Sequence, residues 1–146
     1  MSARSVSAEV VVAAPPEQVF ALLADPRRHH EIDGSGTVRS AVQGPDRLAA
    51  GATFGMRMHW VLPYVIQNTV VEFEENRRIA WRHFGRHIWR YELEPVAGGT
   101  QVTETFDWAP SLVPRGLELW GAPERNLRSI EATLGRLEQV FGAVVG

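Results

Sequence analysis

The stretch WGAPERNLRSIEATLGRLEQVF, residues 120–141, decides the fold because it carries an unbroken apolar seam. Its apolar side chains recur at steps of three and four residues: Trp120, Pro123, Leu127, Ile130, Leu134, Leu137 and Phe141. Charged residues such as Glu124, Arg128 and Glu131 fill positions between them. This spacing predicts one long amphipathic helix that buries a single face against the rest of the chain.

Strand patterns occupy most of the chain before this helix. Apolar and polar side chains alternate, as in half-buried strands, through residues 37–43, 53–62, 64–75, 79–83, 87–93 and 100–108. The pair Gly98-Gly99 marks a hairpin between the last two strands. Six consecutive strands with short connections predict an antiparallel sheet, and the final helix is long enough to cover its buried face.

The N-terminal part predicts one further strand and two short helices. Residues 5–14 alternate as a strand does, and Pro16 suits the first position of a helix because proline loses no hydrogen bond there. Asp25 and Pro26 form a second helix start, with Asp25 as the cap. The predicted order is therefore strand, two helices, six strands and one long helix, which is an α+β fold.

The composition excludes several classes of function. The 146 residues include 45% apolar and 22% charged residues, which predicts one soluble domain over residues 1–146. There is no cysteine, so thiolate metal sites and thiol nucleophiles are excluded. All 15 basic residues are arginine, which excludes a lysine Schiff base, and the net charge of −2 argues against a nucleic-acid partner. No stretch has the length of a membrane span or a signal peptide, so we expect a cytoplasmic protein.

This order of elements resembles the START-like (SRPBCC) superfamily, the helix-grip fold of polyketide cyclase/dehydrases and lipid-transfer proteins. The resemblance rests on EVVVAAPPEQVFALLADPRRHHEI (residues 9–32), VVEFEENRRIAWR (70–82), YELEPVAGGTQVTETF (91–106) and the C-terminal helix. It implies a curved sheet of about seven strands wrapped around that helix, and a hydrophobic ligand. It implies no particular reaction, because the superfamily shares no catalytic residue. Ile32 stands where many relatives have a tryptophan.

The interior of such a fold would be rich in aromatic side chains. If the alternation holds, four tryptophans face the same concave side as the final helix, which carries a fifth. We expect the cavity to be lined by Met56, Met58, Trp60, Trp81, His83, Trp89, Tyr91, Phe106, Trp108, Trp120, Leu127 and Ile130. The alternative is that the tryptophans fill the core and leave no void.

A few polar groups share this apolar wall. The alternation turns Glu104 inward together with His83, His87, Gln67 and Thr69. A buried carboxyl beside an imidazole could act as acid and base on a carbonyl-bearing ligand, with Glu104 and His83 as the catalytic pair. Alternatively, Glu104 lies at a strand end and pairs with an arginine.

His29 and His30 precede an acidic loop, but neighbouring histidines on a helix point about 100° apart and do not easily share one metal ion. We therefore expect no metal. We place His29, His30 and Ile32 at the rim of the cavity, with solvated surface as the alternative.

The sequence thus predicts a binding, and in one reading a transport, protein for a hydrophobic or amphipathic small molecule. A cyclase/dehydrase-like lyase or isomerase is the alternative, and a protein-interaction domain is a third reading. None of them requires a metal or nucleotide cofactor. The apolar segment 110–123 fits a lid, a homodimer contact or a loop packed on the final helix.

Overall fold

The computed structural model describes residues 4–34, 38–59, 62–83 and 85–144, and of residues 38–43 it describes the backbone. Its strands are β1 (Ser5–Val12), β2 (Val38–Gln43), β3 (Thr53–His59), β4 (Pro63–Glu74), β5 (Arg78–Arg82), β6 (Ile88–Val96) and β7 (Gly99–Asp107). Its α-helices are α1 (Pro16–Leu23), α2 (His29–Ile32), α3 (Pro114–Leu119) and α4 (Ala122–Phe141). A 3-10 turn at Pro26–Arg28 leads into α2.

The strands form one antiparallel sheet in the order β1-β7-β6-β5-β4-β3-β2. The first two strands of the chain therefore lie at opposite edges, and α1 and α2 form the connection between them. With α4 packed against β1 and β7, this is the predicted helix-grip architecture, and the prediction is confirmed.

The two ends of the sheet differ, and α4 runs from one to the other. We call the end at the β6–β7 turn, residues 97–98, the closed end, and the end at the β5–β6 connection, residues 83–87, the open end. The Ala13 amide donates to the Gly142 carbonyl at 2.8 Å, which fixes the C-terminus of α4 at the closed end. A helix of 20 residues is about 30 Å long, so its first turns lie toward the open end.

The predicted helix starts are also found. Pro16 occupies the first turn of α1. The Arg27 amide donates to Asp25 Oδ1 at 3.0 Å, so Asp25 caps the 3-10 turn.

Strand β4 departs from simple alternation. Its pairing with β5 shifts register between Val70 and Glu72, as a β-bulge does. Before the bulge the even-numbered residues face the core, so Val70 is buried and Val71 is exposed. The prediction that Gln67 and Thr69 face inward is therefore wrong, because one extra residue exchanges the two faces of a strand.

The loop after α2 rests directly on α4. The Gly34 amide donates to the Thr133 hydroxyl at 2.8 Å. A Cβ atom at Gly34 would overlap the Ser129 carbonyl oxygen on the helix. Only glycine allows this approach, which holds the loop against the middle of α4.

Candidate functional site

The closed end of the space between sheet and α4 is filled by apolar side chains. At most 4% of the surface of each is exposed, and they include Val12, Phe20, Leu22, Leu23, Ile79, Leu93, Val102 and Leu137. This packing is that of an ordinary core, which leaves no room for a ligand at this end.

Toward the open end, side chains that face inward are only half-buried. They are Met58, Ile66, Trp81, His83, His87, Trp89 and Leu127. Trp89 lies opposite the fully buried Phe106 in the register of β6 and β7, so it belongs to the inner face. Between the sheet and the first half of α4 the inner face is therefore less closely covered than at the closed end, and we call this region the cleft.

One wall of the cleft is a set of stacked rings around Trp81. The His29 ring stacks on Trp81 with centroids 4.9 Å apart, and Phe54 and Tyr91 also contact Trp81 at 5.6 and 5.7 Å. His29 is 8% exposed, and its Nε2 donates to the Leu23 carbonyl at 2.8 Å. Burial lowers the pKa of His29, so the ring is neutral at pH 7.

The predicted rim is therefore corrected in part. His29 and Ile32 are core residues, because both are buried and the His29 ring contacts Phe54 of β3 and Trp81 of β5. His30 is exposed, as a rim or surface residue would be.

A second set of rings lies at the open end around Phe106. Trp89, Trp108 and His87 contact the Phe106 ring at centroid distances of 4.9, 5.5 and 5.3 Å. The Trp108 indole donates to the Glu118 carboxylate at 2.8 Å, which fixes this ring.

The two histidines of the open end form a neutral pair. The His83 and His87 rings meet edge to face at 4.3 Å. Burial lowers the pKa of both, that of His87 to about 4. The Gly85 amide donates to His83 Nδ1 at 3.2 Å, so in the neutral ring the proton is on Nε2.

Glu104 lies between the two sets of rings, where the packed core ends. It is 4% exposed, and its cross-strand neighbour is Tyr91, with which it shares a side-chain hydrogen bond. Its Oε1 has no hydrogen-bond partner in the described part of the chain. Burial, together with the smaller effect of the Asp33 charge and against the opposing hydrogen bond from Tyr91, raises the pKa of the Glu104 carboxyl to about 8. At neutral pH the group is therefore mostly a neutral carboxylic acid that can donate a hydrogen bond.

The structure thus gives Glu104 a different partner from the predicted one. The polar group beside it is Tyr91, and His83 lies at the open end with His87. The tight turn at residues 97–98 sets Tyr91 opposite Glu104, so counting back from the hairpin would have found this pair. The effect of the Asp33 charge on the pKa of Glu104 could not be predicted from the sequence, because Asp33 lies in the loop after α2 and reaches Glu104 only through the tertiary fold.

Among the remaining predicted lining residues, Met56 and Ile130 are buried in the core. Trp120 is 72% exposed, so the prediction that it faces the cavity is wrong. Gly121 adopts a left-handed φ of 72°, and α4 begins only after it. Trp120 therefore lies outside the helix whose apolar period it extends in the sequence. Trp60 lies outside the described residues.

Two further properties concern cofactors and membranes. In the described ranges, histidine, aspartate and glutamate side chains form no group of three or more that could hold a metal ion. None of the helices in those ranges has both the length and the apolar character needed to cross a membrane.

Comparison with known proteins places these features in a family. A family model described as polyketide cyclase / dehydrase and lipid transport matches residues 3–142. The uncharacterized protein Rv0088 of Mycobacterium tuberculosis (strain H37Rv) is 42% identical over 142 residues, which is 93% of this chain and 63% of that protein. The chain therefore spans less than two thirds of the length of this curated relative.

Solved structures share the fold at low sequence identity. A protein from Rhodobacter sphaeroides is 19% identical with a TM-score of 0.68, covering 95% of this chain and 92% of its own. The AHSA1-like protein from Aeromonas hydrophila is 17% identical with a TM-score of 0.64, covering 93% of each chain. With a family model that spans nearly all of its length, the chain belongs to the polyketide cyclase/dehydrase and lipid transport family.

Proposed function

We propose that the chain binds an apolar small molecule that carries a hydrogen-bond acceptor, in the cleft between the sheet and the first half of α4. The aromatic walls would contact the apolar body of the ligand. The acceptor, a carbonyl or hydroxyl oxygen, would reach the carboxyl group of Glu104 at the floor.

The observation that carries this proposal is the lone Oε1 of Glu104. A buried polar atom without a partner costs about 1–3 kcal/mol, and such atoms are rare in native proteins. A ligand oxygen that accepts a hydrogen bond from the protonated carboxyl would remove this cost. The apolar part of such a ligand would pack against the half-buried rings of Trp89 and His87, at about 25 cal/mol per Å² of buried surface.

The test uses two neutral fluorescent probes, the naphthyl ketone prodan and the hydrocarbon diphenylhexatriene. We expect saturable binding of both to the wild-type chain. Glu104→Leu should weaken prodan about tenfold, since it removes one hydrogen bond to a buried group, and should leave diphenylhexatriene within about twofold. Glu104→Gln, whose amide still donates, should retain prodan.

The matched control is Glu94→Leu, because Glu94 is an exposed residue of β6 and its loss should change neither affinity. Absence of saturable binding of both probes would rule out the proposal. Equal weakening of both by Glu104→Leu would rule out the role of the carboxyl.

A second candidate function is acid–base catalysis on the same ligand, favoured by the pKa of about 8 and the adjacent Tyr91 hydroxyl. In the dehydration of a β-hydroxy ketone, ionised Glu104 would take the proton from the α carbon and return it to the departing hydroxide as water. The enone product absorbs in the ultraviolet, so turnover is directly measurable. If Glu104 is catalytic, Glu104→Gln should abolish turnover and keep the wild-type affinity for prodan. Equal turnover in the wild type and in Glu104→Gln would exclude this function.

A further inference from the structure

A depression lies at the open end of the sheet, where the pairing of β4 with β5 stops. Strand β4 pairs with β5 only from Thr69 onward, where Arg82 is its partner. Residues 63–68 of β4 pair with β3, and among the described residues they have no β5 partner on their other side. Beside this part of β4 lies a depression of about 420 Å³, lined in the described residues by Val65, Ile66, Gln67, Thr69, Arg82 and His83.

The lining residues come from both faces of the sheet. Ile66 is on the inner face, opposite the buried Met56, and packs against the core. Val65, Gln67 and Arg82 are exposed on the outer side. We call this depression the side portal.

Ring contacts connect His83 of the side portal with the second set of rings. The His83 ring contacts His87, and the His87 ring contacts the buried Phe106. A ligand that entered through the portal would therefore place its apolar part against Phe106 and Trp89.

Charge distinguishes the portal from the floor of the cleft. Arg82 is the portal's cation, and in the described residues no carboxylate lies within ion-pair distance of it. Gln67 and Thr69 add uncharged hydrogen-bonding groups beside Arg82.

The floor is less suited to an anion. The neutral Glu104 carboxyl could donate one hydrogen bond there, but the site is buried and lies within the influence of the Asp33 charge, which already raises the pKa of Glu104. A carboxylate or phosphate at the floor would lose its hydration and meet that negative charge.

From this asymmetry we propose that the side portal is an anion subsite, and that the ligand is an amphipath whose carboxylate or phosphate monoester binds Arg82 while its apolar body lies in the cleft. This inference rests on the proposed function and adds the head-group class and the orientation of the ligand. Arg82 is three residues beyond Ile79, which lies level with Tyr91 and hence with Glu104. The anion and the buried end of the ligand would thus be roughly 10 Å apart along the strand.

The test measures displacement of bound prodan by three molecules with the same chain: dodecanol, dodecanoate and dodecyl phosphate. We expect one or both anions to bind the wild-type chain about tenfold more tightly than dodecanol, and the tighter anion identifies the head group. In Arg82→Gln the ratio of anion to alcohol affinity should fall to about one. Raising the salt concentration should reduce the ratio in the wild-type chain, because Arg82 is exposed.

The control is Arg136→Gln, which removes the same charge from an exposed position on α4 and should retain the wild-type ratio. A ratio near one in the wild-type chain would overturn the anion subsite while leaving the proposed function intact. An equal fall of the anion-to-alcohol affinity ratio in Arg82→Gln and Arg136→Gln would also overturn the anion subsite, because the effect would then come from the net charge of the protein and not from Arg82. If none of the three molecules displaces prodan, the cleft itself is not the binding site.

Discussion

Glu104 occupies a buried position in which an ionised carboxylate would have too few hydrogen-bond donors. Tyr91 forms a hydrogen bond with the Glu104 carboxyl, and Oε1 has no donor in the described residues. Burying the protonated form costs less free energy than burying the ionised form. Burial is therefore the largest cause of the raised pKa of Glu104. A carboxyl group kept neutral near pH 7 can donate to a ligand and can also exchange its proton.

The raised pKa of Glu104 predicts a pH-dependent stability. Between about pH 5 and pH 8 the unfolded chain has released this proton and the folded chain still holds it, since the pKa rises from 4.5 to about 8 on folding. The folded state then binds more protons, so the free energy of unfolding should fall as pH rises, by up to about 1.4 kcal/mol per pH unit, and level off above pH 8.

Urea unfolding at several pH values measures this dependence as the difference between wild type and Glu104→Gln. The difference removes contributions from other groups, including His29, whose lowered pKa acts in the opposite direction at acid pH. We expect Glu104→Gln to be the more stable chain at pH 8 and to lose that advantage toward pH 5. Parallel pH profiles would contradict a buried neutral carboxyl.

At the scale of elements, the contact of the α2–β2 loop with α4 should depend on the size of one residue. In Gly34→Ala the new Cβ would overlap the Ser129 carbonyl oxygen and lie 2.5 Å from the Thr133 amide nitrogen. Both atoms belong to helix backbone and cannot rotate away, so we expect a loss of about 1–3 kcal/mol in the free energy of unfolding.

Gly135→Ala is the matched control, because Gly135 lies on α4 and a Cβ atom added there would meet nothing within 4 Å. Alanine is a better helix former, so this variant should gain up to about 1 kcal/mol. Urea unfolding of the two variants should move in opposite directions from wild type. Equal stability of Gly34→Ala and wild type would show that the loop does not rest on the helix as described.

The elements that repeat a simple period were predictable, and the exceptions each have a local cause. The seam of α4 is a pure helical repeat, and its buried part, Ile130, Leu134 and Leu137, lies where the period puts it. Trp120 fits the same period but precedes Gly121, whose left-handed backbone separates it from the helix.

In β4 the alternation misassigns the faces, because Val70 and Val71 are both apolar and the pattern does not reveal that Val71 is the extra residue of a bulge. His29 is buried by a ring on a distant strand, Trp81, which no local pattern reports. The inward direction of Glu104 was predictable because β7 is regular, whereas its partner required the register of β6 and β7.

At the scale of the whole molecule, the two ends of the fold have different tasks. The closed end holds a closely packed core that supplies stability, and at the open end the inner-face rings are partly exposed, where we propose that the ligand binds. Helix α4 belongs to both, since Leu137 is fully buried near its C-terminus and Leu127 is half-buried near its N-terminus. The same substitution at these two positions therefore separates stability from binding.

We expect Leu137→Ala to lower the free energy of unfolding by about 2–5 kcal/mol, because it leaves a cavity in a packed core. In the molecules that remain folded, its prodan affinity should stay within about twofold of wild type. Leu127→Ala should cost only about 1 kcal/mol, because the side chain is already partly in contact with water. It should weaken prodan several-fold, since that side chain is part of the proposed binding wall. Urea unfolding and fluorescence titration of both variants measure the two effects, and a binding loss confined to Leu137→Ala would place the ligand at the wrong end of the molecule.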